Sequence, residues 1–578
     1  MHNRERMPKK TLRSKWEKKI DMDRSIIKHI VTFIAAILLL GLTSLMRAQD
    51  EINKEIVVVK PYEPSLSDAF KINVLPRVSD SISIHPDFNY SIEPKKFETA
   101  FHVRPISPAK LVGVPLKKLY KSYLKIGFGN YLIPMGELRI NSLRSKKGQW
   151  GLSLHHYSIN GKIKLDNDQK VSPGYFENSG TLYGKKIFNN AYLAGNFKGA
   201  WDGVNFYGYH TSLDTSLNED DIKQHYLKLD GRVKMGSTHK DSSHLNYTWT
   251  LDYNYTNDKH KNNEHAFLLG AEVNKRFRSG NTLGLGLVGD YYRTSLSIDS
   301  INNTVVSAKP WLGKTTADFT YRVAVELLAD IRGDEVSPHF YPDAYLQIGV
   351  VRGILVPYLG VDGKLQVNNY RTVIDENMYI TPGLKVANTS HNLRGYVGLK
   401  GSLSQAVSYD ISASYSMISK MPFYINDTTG ALGNTFTVTY DDLRLTRIRG
   451  ELLIQQSDRL SFLLMGGYDQ YDLDNLEKPW HKPEITASFA TEYNLRNKIL
   501  LDASLNYMGQ RFAPGTPLDT EMISLKGFVD LNLGLEYRYT KLLSAFLRLN
   551  NILGARNYFW NHYPAIGFNV MAGFTYAL

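Results

Sequence analysis

"FVDLNLGLEYRY", residues 528–539, alternates without a slip. Val529, Leu531, Leu533, Leu535, Tyr537 and Tyr539 fall on one face at the strand period of two, and Asp530, Asn532, Glu536 and Arg538 fall on the other. Carboxylates and a guanidinium need water, so the second face is wet. The first face is aliphatic and ends in tyrosines, the order expected where a strand crosses hydrocarbon and meets an interface. A sheet with lipid on one side and water on the other must close on itself, because an open edge would strand backbone polar groups in the membrane.

The same pattern recurs. "LSAFLRLN", residues 543–550, places Leu543, Ala545, Leu547 and Leu549 on one face. The chain then ends "AIGFNVMAGFTYAL", residues 565–578, with Ile566, Phe568, Val570, Ala572, Phe574, Tyr576 and Leu578 alternating against Gly567, Asn569, Met571, Gly573, Thr575 and Ala577. Chain ends usually fray; this one is patterned to its last residue. Short connections at 144–149, 188–191, 278–281, 351–353, 456–459, 495–498 and 539–541 alternate with long ones at 159–174, 202–221, 368–392, 420–433, 469–483 and 510–524. Short turns on one side and long loops on the other are the habit of outer-membrane barrels. The pattern therefore predicts an all-β fold, a transmembrane antiparallel β-barrel over 119–578. Threading strands from Leu119 gives 22, and 18 to 22 fits once weak stretches such as 305–329 are allowed for.

Composition agrees. The 578 residues include 37 Tyr and 44 Gly, and mean hydropathy is −0.30, with no long apolar run after residue 46. That excludes a helical membrane protein. There is no Cys, which excludes disulfides, thiol catalysis, thiolate metal sites and a lipidated N-terminal Cys. Residues 30–46, "IVTFIAAILLLGLTSLM", follow a basic stretch and precede "RAQD", as in a secretory signal peptide spanning 1–48, with Met22 an alternative start. A retained inner-membrane anchor is the rival reading. Residues 1–48 hold 11 Lys+Arg against 4 Asp+Glu and so carry +7 of the formal +13, which leaves about +6 and no case for nucleic acid. Residues 49–118 hold eight of the 22 prolines and no helical period, and read as an extended periplasmic segment.

The last hairpin resembles the end of TonB-dependent outer-membrane receptors, on Asn550, Asn551, Ile552, Leu553 and Gly554, then Tyr558, Pro564, Gly567, Gly573 and Tyr576. Gly573, Tyr576 and Leu578 look like the signal that barrel-assembly machinery reads on a final strand, with Met571 and Leu578 departing from the commonest residues there. Glu55, Ile56, Val57, Val58 and Val59 resemble a TonB box, which implies strand pairing with TonB or another periplasmic protein. An ordinary extended strand is the competing reading. About 60 residues separate Val59 from Leu119, too few for the plug domain of that family. The whole chain looks like the plug-less receptor-like barrels of Bacteroidetes. A 22-stranded lumen is normally plugged, and the candidates for filling it are segment 50–118, inward-folded external loops or a separate protein.

Chemistry is sparse. In "HHYSINGK", residues 155–162, His156 and Ser158 share a face, an arrangement similar to that of outer-membrane phospholipase A. The spacing to Asn160 and Gly161 departs by one, and the sequence names no orienting partner; a polar cap at the end of a strand explains the same residues. His260 and His265 could ligate a transition metal, and Asp469, Asp472, Asp474 and Glu477 calcium, but neither spacing matches a known cage. Tyr207, Tyr209 and the stretch 557–560 are candidates for contact with an incoming ligand, or for loop packing. The reading is an outer-membrane barrel acting in transport or assembly, with no cofactor and no enzymatic role. A passive porin, a structural barrel anchoring a periplasmic partner and a phospholipase are its alternatives.

Overall fold

The structure, a computed structural model, describes residues 119–578 apart from 211–212, 214–217, 240–243, 296–299, 385, 431 and 519–520. The expected signal peptide over 1–48, the segment 49–118 and the stretch from Glu55 to Val59 lie outside the described residues.

Twenty-two antiparallel strands form one closed sheet. The first, Ser122–Gly129, pairs with the second, Ile133–Asn141, on one side and with the last, Asn569–Ala577, on the other. Ser122 and Leu578 exchange both backbone hydrogen bonds at 2.9 Å, so the final residue closes the wall. Glycine makes that seam possible. Gly127 stands opposite Gly573, and the Phe546 ring lies over both. A Cβ on Gly573 would fall 2.1 Å from the Ile126 carbonyl oxygen and 2.6 Å from that ring, so no larger residue fits. Tyr576 and Leu578 point outward and are exposed.

The two faces divide as the alternation predicts. In the strand Phe528–Arg538, Leu533, Leu535 and Tyr537 are exposed to the outside while Gly534 is buried against the carboxylate of Asp502. Leu193, Phe197 and Trp201 face outward from Ala191–Asn205 in the same way. Inside, charges answer charges: Arg232 binds Asp252 at 2.7 Å, and Lys309 reaches Asp343 at 2.8 Å.

Several expectations need correction at the loop end. Four connections there are short, 130–132, 259–262, 296–299 and 333–334, so long loops do not follow every second strand. The stretch 305–329 is not weak but two strands, Ser300–Thr315 and Phe319–Arg332. The first residues of the loops expected at 420–433 and 469–483 lie instead in the strands Val407–Asn426 and Leu460–Leu473, which pair with Phe436–Ser457, because paired strands continue past the apolar belt wherever a neighbour supplies hydrogen bonds.

Candidate functional site

The long loops fold together over one end of the barrel. Within the connection 160–174 a small hairpin, Ile163–Lys164 with Lys170–Val171, buries Ile163, Leu165 and Val171. These pack in a single cluster with Tyr207 and Tyr209, with Tyr370, Val373, Ile374 and Ile380, with Tyr424 and Phe436, and with Tyr563. The contributing connections leave the wall at widely separated strands around the ring, so a core common to them must cross the mouth. Tyr370, Ile374, Ile380 and Phe436 are fully buried, and each such aliphatic or Phe side chain adds about 1.5–3 kcal/mol.

Polar groups fix the order of this cap. Tyr207 Oη donates to the Pro564 carbonyl at 3.0 Å, Tyr226 Oη to the Met378 carbonyl at 2.8 Å, and Asn434 Nδ2 to the Phe206 carbonyl at 2.7 Å. Burial raises the Tyr379 phenol to about 12 and pushes Tyr207 and Tyr563 well above their ordinary value. The short helix Tyr370–Glu376 lies against the inner wall. Its first amides, Tyr370 N and Arg371 N, donate to the Glu264 carboxylate at 2.8 and 3.2 Å, an acid at a helix N-terminus where the dipole favours it. Thr294 Oγ1 donates to the same carboxylate at 2.7 Å, and Tyr370 Oη to Asp258 at 2.7 Å. Lys228 bridges Asp375 of the helix and Asp202 of the wall, at 2.7 and 3.1 Å.

Two buried residues pin the other side. His481 Nδ1 donates to the Tyr424 carbonyl at 2.9 Å, its Nε2 accepts from Asn561 N at 3.3 Å, and its ring lies beside Phe436 and Trp560. Burial is the main reason its pKa falls to about 3; the positive charges of Arg511 and Lys482 push the same way. Arg511, on the loop hairpin Arg511–Ala513 with Ile523–Leu525, donates to the carbonyls of Tyr558 and Phe559 and lies over the Phe528 ring. Burial lowers it to about 10.

Beneath the cap the lumen is polar and roomy. A cavity of about 690 Å³ is lined by Phe559 and Phe528 with Asp410, Arg449, Glu451 and Asp530. A second, of about 620 Å³, lies among Lys125, Glu492, Asp502, Glu536 and Arg548.

The residues singled out by sequence fare unevenly. Tyr207 and Tyr209 are buried in the cap and serve as packing; in 557–560 only Phe559 is exposed, facing the cavity. His260 sits in a turn and His265 in the strand Asn263–Arg276, where its Nδ1 meets Tyr253 Oη at 3.0 Å. Asp469 binds Arg447 and Arg449, each at 2.8 Å, and Asp472 and Asp474 flank Arg444, so these acids answer arginines of the neighbouring strand. Glu477 is exposed. Among the described residues no group of three His, Asp or Glu is placed to hold a metal. Glu264, His481 and Arg511 escaped the sequence reading, since nothing in their local pattern marks them.

No protein-family model matches the chain, and no curated protein matches it. Among solved structures it is similar to the FrpB iron transporter from Neisseria meningitidis, with a TM-score of 0.62 and 10% identity over 80% of this chain and 82% of that one. It is also similar to the siderophore receptor PirA from Acinetobacter baumannii (0.59, 9%, 80% and 81%) and the ferric enterobactin receptor PfeA from Pseudomonas aeruginosa (0.57, 10%, 80% and 81%). At such identities the likeness is one of fold: the 22-stranded outer-membrane barrel of TonB-dependent iron and siderophore receptors.

Proposed function

We propose that this chain is an outer-membrane receptor-type transporter, plug-less in the family sense, whose lumen admits a ligand when the loop cap opens. The observation that carries this reading is the cap itself. A passive pore needs an open mouth, whereas here loops from around the ring share one buried core above a charged lumen. Opening such a core costs several kcal/mol, so passage calls for a ligand that reorganises the loops or for work delivered from the periplasm. The residues Glu55 to Val59, which resemble a TonB box, are the candidate for the second, by strand addition to TonB or a similar periplasmic protein.

Val57→Pro tests the energised step, since proline removes a donor from strand pairing. Uptake of the cognate ligand by whole cells is expected to fall to background while the amount of folded barrel stays constant. Undiminished uptake by the variant would leave a passive route as the working reading.

A further inference from the structure

The wall carries a second feature, on its lipid side and independent of the transport reading. His156 and Ser158 stand on the strand Gly148–Ile159 in phase with Trp150 and Leu154, which are exposed to the outside. Asn178, on Tyr175–Ile187, is directly opposite His156. Its amide nitrogen donates to the Trp201 carbonyl at 3.3 Å, which turns the amide oxygen toward His156 Nδ1 at 2.6 Å. An amide oxygen only accepts, so Nδ1 carries the proton and Nε2 keeps its lone pair. That lone pair faces Ser158 Oγ at 3.4 Å. Asn160 Nδ2 lies 3.2 Å from the same Oγ and is steadied by the Leu132 carbonyl at 3.1 Å, an amide donor beside the place where an oxyanion would develop.

Nucleophile, base and orienting group are therefore joined in order, the relation that defines a serine hydrolase whatever its fold. The 3.4 Å contact is long, as such contacts often are without substrate. Beside His156, on the other neighbouring strand, Gly136 leaves open space: nothing lies within 4 Å of the position a Cβ would take. Phe176 and Trp201, edge to face at 4.8 Å, wall the site with apolar surface. Ser158 is buried, with Asn160 and the turn 130–132 on its loop side, and the open space lies beside His156 at Gly136.

We propose that Ser158, His156 and Asn178 form an acyl-ester hydrolase site on the lipid-facing wall, with membrane glycerolipids as its substrate class. Ser158 Oγ adds to the ester carbonyl carbon as its proton passes to His156 Nε2. Collapse of the tetrahedral adduct breaks the bond between acyl carbon and glycerol oxygen, and that oxygen takes the proton. Water, the only co-reactant, then adds to the acyl-serine with the same base and releases the fatty acid. Asn178 is a positioning residue that holds the imidazole tautomer.

The test uses the purified full-length protein in mixed micelles of detergent and phosphatidylethanolamine, with fatty-acid release and fluorophosphonate labelling read together. Expected are release by the wild type and one label, on Ser158. Ser158→Ala and His156→Ala should lose both at least a hundredfold while keeping the heat-modifiable migration of a folded barrel. Asn178→Asp should remain active with the acid limb of its pH profile moved up, since a carboxylate favours the imidazolium; a merely structural Asn178 would leave that limb in place. Folded wild-type protein that neither labels nor hydrolyses above Ser158→Ala would overturn the proposal, as would undiminished hydrolysis by Ser158→Ala.

Discussion

Mild acid should loosen the cap through His481. The imidazole is neutral and buried, with both nitrogens used: Nδ1 as donor to Tyr424 and Nε2 as acceptor from Asn561. Protonation would set two donors against each other at Nε2 and place a cation near Arg511, Lys482 and His562. With the cap closed the group titrates at about 3; exposed, it returns to its ordinary value near 6.5. The open state therefore binds more protons between these values, so closure is favoured fully above about pH 6.5 and weakens as pH falls toward 3. The slope is about 1.4 kcal/mol per pH unit, which amounts to about 2 kcal/mol at pH 5, or roughly thirtyfold in the closed-to-open ratio. Hydrogen exchange of peptides from 551–568 and 474–484, together with single-channel opening frequency in a planar bilayer, would read this at pH 7.5 and pH 5. Relative to the intrinsic amide exchange rate at each pH, wild-type protein should be less protected at pH 5, and it should open more often there; His481→Gln should lose both dependences. Equal protection factors at the two pH values, or the same dependence in the variant, would refute the assignment.

Two further perturbations address the frame and the helix. Gly573→Val drives a side chain into the Ile126 carbonyl and the Phe546 ring, and should abolish the heat-modifiable folded form; a wild-type yield of folded barrel would show that the seam tolerates bulk. Glu264→Ala leaves the amides of Tyr370 and Arg371 and the Thr294 hydroxyl without their acceptor, at a cost of about 1–3 kcal/mol for each donor left buried. Exchange at 370–376 should accelerate correspondingly, and unchanged protection would remove Glu264 from the account.

Period-two alternation carried the barrel, because lipid and water impose opposite chemistries on successive side chains; Phe528–Arg538 and Asn569–Ala577 announce it unaided. Strand number followed by threading that period through the chain. The cap was illegible: Tyr209 and Ile380 sit in connections with no period, Tyr370 opens a short helix and Phe436 begins a strand, and their meeting depends on the curvature of the whole wall. Register hid the rest. Asp469, Asp472 and Asp474 have their partners, Arg444, Arg447 and Arg449, on the neighbouring strand, where their own spacing gives no hint of them. Likewise Asn178 lies 22 residues beyond His156, a partner that only strand pairing reveals.

The shared core of the cap also constrains how this surface can diverge. Exposed loops ordinarily tolerate substitution one at a time. Here Ile163, Tyr207, Ile374 and Tyr563 come from separate connections and share a common interior, so a change of volume in any of them is felt by the others. Homologues that face different ligands should therefore swap these loops as a matched set, and covariation among the four connections would be the imprint of that constraint in sequence.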